Sequence, residues 1–471
     1  MSAYRFGIVG LGVMGENLAL NVESRGFPAA GYDLDEQKRK SAADKWAGKN
    51  MSAVGSLEEL AAVLERPRRI LAMVPAGKPV DAVIHDLKPL LAPGDILIDG
   101  GNSFFPDTDR RGRELEPTGV HFIGMGVSGG ESGALHGPSL MPGGPQDGYR
   151  EVEPILTAIA AQTDDGSCCA YIGKGGAGHY VKMVHNGIEY GIMQLICEAY
   201  DVMQNALGMG APEMAKVFAK WNEGELNSYL IEIAAAVLGT TDAETGKPVV
   251  DLIMDRAGQK GTGKWTSQNA LDLGVAIPTI NAALEGRILS ALKEQRVAAA
   301  KVLHGPTRRK FRGDSAAFIE TLRQALRLAI VTCYAQGFAL LTEASKEYGY
   351  GLHLPEIARI WKGGCIIRAR LLDAIKNALA AQPDLINLLV AEPFCGIANE
   401  MEGSLRTVVS KATAAGIPCL ALAASLGYLD GYRRPRLPAN LLQGLRDYFG
   451  AHRYERLDRP RGETFHTEWP Q

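Results

Sequence analysis

The first third of the chain alternates short apolar runs with segments whose apolar positions recur every three or four residues. Tyr4 to Val9, Ala29 to Tyr32, Ile70 to Val74, Ile96 to Asp99 and Val120 to Gly124 read as strands. Gly15 to Ser24 and Lys78 to Leu90 read as helices between them. The alternation predicts a parallel sheet with helices on its faces. The run Gly173 to Gly178 marks a boundary, beyond which helical periodicity dominates to about residue 430. There, Pro212-Glu213-Met214-Ala215-Lys216-Val217 is echoed by Pro355-Glu356-Ile357-Ala358-Arg359-Ile360, each after a long apolar helix that ends near Gly208 or Gly351. The echo reads equally as a duplicated helical unit or as two ordinary helix starts. From Tyr432 onward little helical pattern remains, and Arg, Pro and aromatic residues take over. Arg446 to His452 is too aromatic for a solvated tail, so docking on another surface is expected. The expected divisions are 1–178, 179–435 and 436–471.

Composition adds exclusions. A formal net charge of -3 gives no basis for general nucleic-acid binding. No apolar run reads as a membrane span, and Met1 to Phe6 enters a strand without the pattern of a signal peptide. Seven scattered cysteines fit a reducing compartment, so a cytoplasmic location is expected. Adjacent Cys168 and Cys169 read as small core residues rather than a redox pair. No Cys or His group has zinc-site spacing, and no metal is expected.

Two segments carry candidate chemistry. Gly10, Gly12 and Gly15 form G-x-G-x-x-G between the first strand and the first helix. Gly10 permits the tight turn, Gly12 lets backbone approach a pyrophosphate, and Gly15 lets helix pack on strand. The helix N-terminus favours the anion. Asp33 ends the next strand, where a carboxylate accepts hydrogen bonds from the ribose of NAD and repels the extra phosphate of NADP. Lys38, Arg39 and Lys40 lie nearby and keep NADP open as the alternative. The second segment runs from His179 to Tyr190. On a helix, Lys182, His185, Asn186, Glu189 and Tyr190 form one polar stripe on an otherwise apolar cylinder. Such a helix is expected to be buried, so the stripe needs partners. Lys182 and Glu189 stand two turns apart, about 10 Å along the axis, which suits a base and an acid at separate carbons of one substrate.

Lys182-Met183-Val184-His185-Asn186-Gly187-Ile188-Glu189-Tyr190-Gly191 resembles the signature of 6-phosphogluconate dehydrogenases. So do Asp99-Gly100-Gly101-Asn102-Ser103, Gly126-Val127-Ser128-Gly129-Gly130-Glu131, Gly137 to Gly144, Gly258 to Thr266 and Leu437-Pro438-Ala439-Asn440. The likeness runs in order through essentially the whole chain. It implies an α/β dinucleotide-binding (Rossmann-like) domain, a large all-α domain and a C-terminal tail that enters the partner subunit of a homodimer. It implies Lys182 as general base and Glu189 as general acid. Asn102, Ser128, Gly129, Gly130, His185 and Asn186 would hold the sugar acid. Tyr190, Lys260, Thr262 and Arg287 would bind its phosphate, with Arg446 and His452 from the other subunit. Gly10, Leu11, Gly12, Val13, Met14, Gly15, Asp33, Leu34, Val74, Pro75, Ala76 and Asn102 would line the cofactor.

Common NADP-using members have Asn-Arg-Thr where this chain has Asp33-Leu34-Asp35, alanine at Gly12 and lysine at Pro75. Together these departures predict a preference for NAD. Ile192 replaces an acid usual in the family, and nothing in the sequence explains it. Two rivals are a 3-hydroxyacid dehydrogenase without decarboxylation and a non-catalytic NAD sensor. The long helical region argues against the first, and intact Lys182 and Glu189 against the second.

Overall fold

The structure, a computed structural model, describes residues 4–259, 261–306 and 313–470. The chain forms two compact units that meet in sequence between Ser425 and Leu426.

The first unit begins with β1 (Phe6–Val9), α1 (Val13–Ser24), β2 (Ala29–Tyr32), α2 (Glu36–Trp46), β3 (Met51–Ala53), α3 (Leu57–Val63) and β4 (Arg69–Ala72). It continues with α4 (Lys78–Leu87), β5 (Ile96–Asp99), α5 (Phe105–Leu115), β6 (His121–Ser128), α6 (Gly130–His136), β7 (Ser139–Gly143) and α7 (Gln146–Ile159). The sheet order is β3-β2-β1-β4-β5-β6-β7. The first six strands are parallel and β7 is antiparallel to β6. Side chains alternate between its faces. Ile8, Leu71, Ile98 and Ile123 enter one core, while Val9, Ile70, Leu97 and Phe122 enter the other. The strand order reverses direction between β1 and β4, whose carboxyl ends open a crevice where such sheets bind ligands.

After the short hairpin of β8 (Gln162–Thr163) and β9 (Gly166–Ser167) the unit is helical. α8 (Ala177–Leu207) leads to α9 (Ala211–Asn222), α10 (Tyr229–Gly239), α11 (Val249–Leu252), α12 (Thr262–Asp272), α13 (Pro278–Ala291) and α14 (Lys293–Ala299). α15 (Ser315–Glu347) leads to α16 (Leu354–Ile360), α17 (Leu371–Ala381), α18 (Phe394–Ala414) and α19 (Leu420–Tyr432). The two echoed Pro-Glu segments start α9 and α16, after helices of 31 and 33 residues. The chains leading into α10 and α17 pair with each other, as Tyr229 N donates to Arg368 O at 3.1 Å and Arg370 N to Asn227 O at 3.0 Å.

Close approach at glycines seats α8 on the sheet. A Cβ at Gly178 would collide with the carbonyl oxygens of Gly124 and Met141, and one at Gly126 with the side chain of Lys182. The first collision is backbone on backbone, so no rotamer change relieves it.

Several expectations need correction. β6 runs to Ser128, four residues beyond the predicted end. β3 and β7 were not anticipated, because Met51–Ala53 is short and Ser139–Gly143 holds a proline and a glycine, residues that read as strand breakers. α15 is long and apolar enough to cross a membrane, contrary to the expectation of no such run. However, 83% of its most apolar window is buried within the protein, as in a core helix.

The second unit contains α20 (Ala439–Gly450) and a hairpin of β10 (Tyr454–Glu455) and β11 (Thr464–Phe465). The sequence had predicted little helix here. Leu441, Leu442, Leu445, Tyr448 and Phe449 do recur at helical spacing, but α20 is inverted: these residues are exposed and its buried residue is Asp447.

Gly178→Ala should cost more stability than the ~1–3 kcal/mol typical of overpacking, because backbone must move. Gly112→Ala, in α5 with open space around it, should instead stabilise by about 0.5–1 kcal/mol. Equal denaturation midpoints for the two variants would contradict this account of the α8 contact.

Candidate active site

The glycine loop after β1 has the geometry expected for a dinucleotide. Gly10 has φ +98, and a Cβ there would lie 2.5 Å from Met73 O. A Cβ at Gly15 would overlap Gly10 O. Gly12, in contrast, faces open space among the described residues, so backbone is accessible where a pyrophosphate would lie. Val13 is 58% exposed beside it, and Met14 packs on the sheet core. Leu11 is a correction in part. Its side chain is buried in the core, and its N–H donates to Asp33 Oδ2 at 2.7 Å. It shapes the loop rather than offering a free donor.

Asp33 is buried, not the solvated loop acid it could have been. Its Oδ1 accepts from Asp35 N at 2.9 Å, and Lys38 Nζ stands 3.7 Å from Oδ2. Asp35 caps α2 by accepting from Gln37 N. Leu34 is 87% exposed. Arg39 donates to the carbonyls of Asp33 and Leu34 at 2.7 and 3.1 Å, so its guanidinium sits at the same strand end.

Val74, Pro75 and Ala76 follow β4, and Asn102 follows β5, exposed. A network not foreseen from the sequence joins these two loops. The Arg111 side chain is 1% exposed and donates to Gly77 O at 3.0 Å and to Asp81 at 2.8 Å. It also reaches Asp99 Oδ2 at 3.5 Å. Asp99 in turn accepts from Gly101 N at 3.0 Å and Ser103 Oγ at 2.6 Å, bracketing Asn102. In sequence, Arg111 looks like one more charge on a polar helix.

The stripe of α8 is buried at Lys182, His185 and Tyr190 and partly buried at Asn186 and Glu189, so it is not a solvated face. Ser128, at the end of β6, lies 3.2 Å from His185 Nε2. His185 Nδ1 lies 3.0 Å from Asn186 Oδ1, 3.5 Å from Lys182 Nζ and 3.8 Å from Glu189 Oε2. One imidazole edge thus stands between the candidate base and the candidate acid. Asn186 donates to Thr262 Oγ1 at 3.0 Å. The Arg287 guanidinium stacks 3.4 Å from the centroid of the Tyr190 ring. Gly129 turns the chain at φ +126, where a Cβ would lie 2.6 Å from Gly364 O, and Gly130 has φ +62. Lys182, Glu189, Ser128, His185, Asn186, Tyr190, Thr262 and Arg287 are therefore brought together through these contacts. Lys260 lies outside the described residues. Arg446 and His452 belong to the second unit. There, Arg446 donates to Gln443 at 3.0 Å and the His452 ring lies 5.7 Å from that of Phe449.

Trp361 and Cys365 were missed. The Trp361 ring packs edge-on against His185 at 5.6 Å, and the buried Cys365 thiol lies close enough to affect Lys182. Neither has a local signal, since each meets α8 only through the fold. Ile192 gains a partial account. It is buried beside a cavity of about 20 Å³ that Glu225, Arg327 and Tyr334 also line, where an apolar side chain needs no hydrogen-bond partner.

Burial sets the electrostatics. It lowers the Lys182 pKa from its ordinary value, against the pull of Glu189. It raises that of Glu189, against Lys182 and Arg287. It holds His185 well below the usual imidazole range, with Lys182 adding to the effect. Burial therefore moves the amine toward its neutral form and the carboxyl toward its protonated form, the directions a base and an acid need.

Residues 178–469 match the family described as 6-phosphogluconate dehydrogenase, C-terminal domain, and residues 5–173 match the NAD binding domain of 6-phosphogluconate dehydrogenase. A decarboxylating 6-phosphogluconate dehydrogenase of Synechocystis is 56% identical over 100% of this chain and 98% of its own length. The Bacillus subtilis enzyme, described as NADP(+)-dependent and decarboxylating, is 52% identical over all of both chains. The solved Plasmodium falciparum 6-phosphogluconate dehydrogenase superposes with a TM-score of 0.95 at 42% identity, covering 99% of this chain and 100% of that one. That enzyme was described without ligand, with its cofactor NADP+ and with its substrate 6-phosphogluconate.

Lys182→Met should stabilise the fold by roughly 1–3 kcal/mol near neutral pH, because a poorly compensated buried amine gives way to an apolar chain of similar volume. The pH dependence has a definite sign. Lys182 has a lowered folded pKa, so below the ordinary 10.5 the unfolded chain binds the proton more readily, and stability rises with pH. The advantage of methionine should therefore shrink as pH approaches about 10. Chemical denaturation at several pH values measures it, and a constant difference would refute the cause given for the shift.

Proposed function

The chain belongs to the 6-phosphogluconate dehydrogenase family, and we propose that the α8 stripe carries out its reaction. That reaction is oxidative decarboxylation of 6-phosphogluconate to ribulose 5-phosphate and carbon dioxide, with reduction of a nicotinamide dinucleotide. The observation that carries the assignment is the Lys182–His185–Glu189 constellation beside Ser128, at the carboxyl end of β6 in the sheet that bears the glycine loop. A bound NAD or NADP supplies the hydride acceptor.

Neutral Lys182 takes the proton of the carbon-3 hydroxyl as hydride leaves carbon 3. The 3-keto acid so formed holds its carboxylate β to the ketone. Carbon dioxide leaves, and the released electron pair flows onto the ketone oxygen. The ammonium of Lys182 stabilises that developing enolate. Glu189, whose carboxyl burial shifts toward its protonated form, delivers a proton to carbon 1 of the enediol. Ser128, Gly129, Gly130, His185, Asn186 and Asn102 hold the sugar acid. Tyr190, Thr262, Arg287 and Lys260 bind the phosphate, with Arg446 and His452 of the partner subunit, where charge-assisted hydrogen bonds are strongest.

This reading includes a homodimer with shared sites, and the inverted tail supports it. A helix with Leu441, Leu442, Leu445 and Phe449 exposed needs a surface to cover them, and a second copy supplies one. The functional divisions are 1–178 for the cofactor, 179–435 for substrate and dimerisation, and 436–471 for the tail. Seven cysteines, all free, support a cytoplasmic setting.

NAD is the preferred cofactor in this reading, although the Bacillus subtilis relative is described as NADP(+)-dependent and the Plasmodium falciparum enzyme takes NADP+. The support is local: buried Asp33, apolar Leu34 and open space at Gly12. Lys38 and Arg39 at the same strand end retain some NADP use.

Two measurements test the assignment. With 6-phosphogluconate, Lys182→Met should lose about 10²–10⁴-fold or more in kcat while binding substrate within tenfold. Glu189→Gln should retain hydride transfer in a pre-steady-state burst and fail afterwards. Loss of the burst itself would give Glu189 another job.

The cofactor claim is separate. Two like unit charges about 4 Å apart at an effective dielectric of ~20 repel by roughly 4 kcal/mol before screening. Even a residual ~1.4 kcal/mol is about tenfold in specificity. NAD should therefore exceed NADP at least about tenfold in kcat/KM, and Asp33→Asn with Leu34→Arg should narrow the gap. Equal values for the unmodified enzyme at one ionic strength would defeat this reading of Asp33.

A further inference from the structure

The tail unit is built around one carboxylate. Asp447 is fully buried, although its neighbours on α20 are exposed. Its Oδ1 accepts from Arg453 N at 2.9 Å and faces His466 Nδ1 at 3.0 Å. Its Oδ2 accepts from Thr467 N at 3.1 Å and Trp469 Nε1 at 2.9 Å. These contacts tie the end of α20 to the turn after it and to the last residues described.

The turn is costly by itself. Ala451 and Arg453 have φ of 48 and 60, which non-glycine residues adopt only when something compensates. Between them stands His452. Its ring folds back over Gly450, where a Cβ would lie 2.8 Å from it. Gly450 is one helical turn beyond Arg446, so the imidazole comes to the helix face that carries the Arg446 guanidinium. Gln443 closes the arrangement, accepting from Arg446 at 3.0 Å and donating to Arg453 O at 2.5 Å.

We propose that Asp447 is a positioning residue that holds the 451–453 turn in its left-handed conformation and so sets His452 beside Arg446 as one phosphate-binding pair. The proposal rests on the reading of Arg446 and His452 as ligands of the substrate phosphate. Asp447 touches no substrate in this scheme. It acts by paying the conformational cost of the turn within the free tail, so the pair is formed before the phosphate arrives.

The experiment compares 6-phosphogluconate with gluconate, which lacks the phosphate, in the full-length enzyme. Asp447→Asn keeps the shape and removes the charge and an acceptor. It should raise KM for 6-phosphogluconate by about tenfold or more and leave kcat/KM for gluconate within about twofold, because only the phosphate contact is disturbed. KM for the dinucleotide should also hold. Adding Ala451→Gly, which accepts positive φ freely, should recover part of the lost phosphate selectivity. A general loss of folding would lower activity on both substrates alike, and that outcome overturns the proposal. Unchanged selectivity in both His452→Ala and Arg446→Ala would remove the phosphate reading, and the proposal with it. Selectivity lost in those two variants but kept in Asp447→Asn overturns the positioning role alone.

Discussion

The close seating of α8 on the edge of the sheet is the constraint from which the rest follows. Only glycine fits at Gly178, because the carbonyls of Gly124 and Met141 occupy the space of any side chain. That approach presses the polar stripe of α8 against β6, where Gly126 leaves room for the stem of Lys182. The amine is then in a site too dry to charge it freely, within reach of His185 and near the carboxyl ends of the strands. A wider helix–sheet gap would admit water and return Lys182 and Glu189 toward their ordinary protonation states.

Much of the site was legible because it lies on single elements. Residues spaced three and four apart on one apolar helix can only form a stripe, so Lys182, His185, Asn186, Glu189 and Tyr190 were visible as a set. The glycine loop was visible because each glycine answers a separate steric demand, now seen at Gly10, Gly12 and Gly15. Contacts that depend on distant chain were not visible. Arg111 supports the loops before Lys78 and after Asp99 from a helix whose sequence looks like any solvated one. Trp361 meets His185 from a stretch of chain distant in sequence. β7 escaped because edge strands tolerate proline and glycine, whereas α20 had a readable stripe at Leu441, Leu442, Leu445, Tyr448 and Phe449 that the Arg, Pro and aromatic content around it outweighed.

The departures from the NADP-using pattern also make more physical sense together than singly. Asp33 is held by the Leu11 amide, so the carboxylate is part of the glycine loop's own structure. Exchanging Asp33 alone would loosen that loop as well as remove a charge. Leu34 is exposed and free of such duties. The cations of α2 already approach the strand end, with Arg39 tied to the two carbonyls there. Selectivity at this strand end is therefore a balance between one fixed anion and nearby cations, and ionic strength acts on it directly.

Three buried ionisable groups show how the fold separates reactivity from structure. Lys182 and Glu189 are withdrawn from water with few fixed partners, and burial shifts each toward its neutral form. Asp447 is buried too, and burial alone would raise its pKa. Yet donors from Arg453, His466, Thr467 and Trp469 outweigh that and hold it at about 2. What sets Asp447 apart is the number of donors aimed at its charge. A carboxylate satisfied on both oxygens is a permanent anion that can anchor a strained turn. One without such donors, as at Glu189, is shifted by burial toward its protonated form, the direction that a group giving its proton to carbon requires.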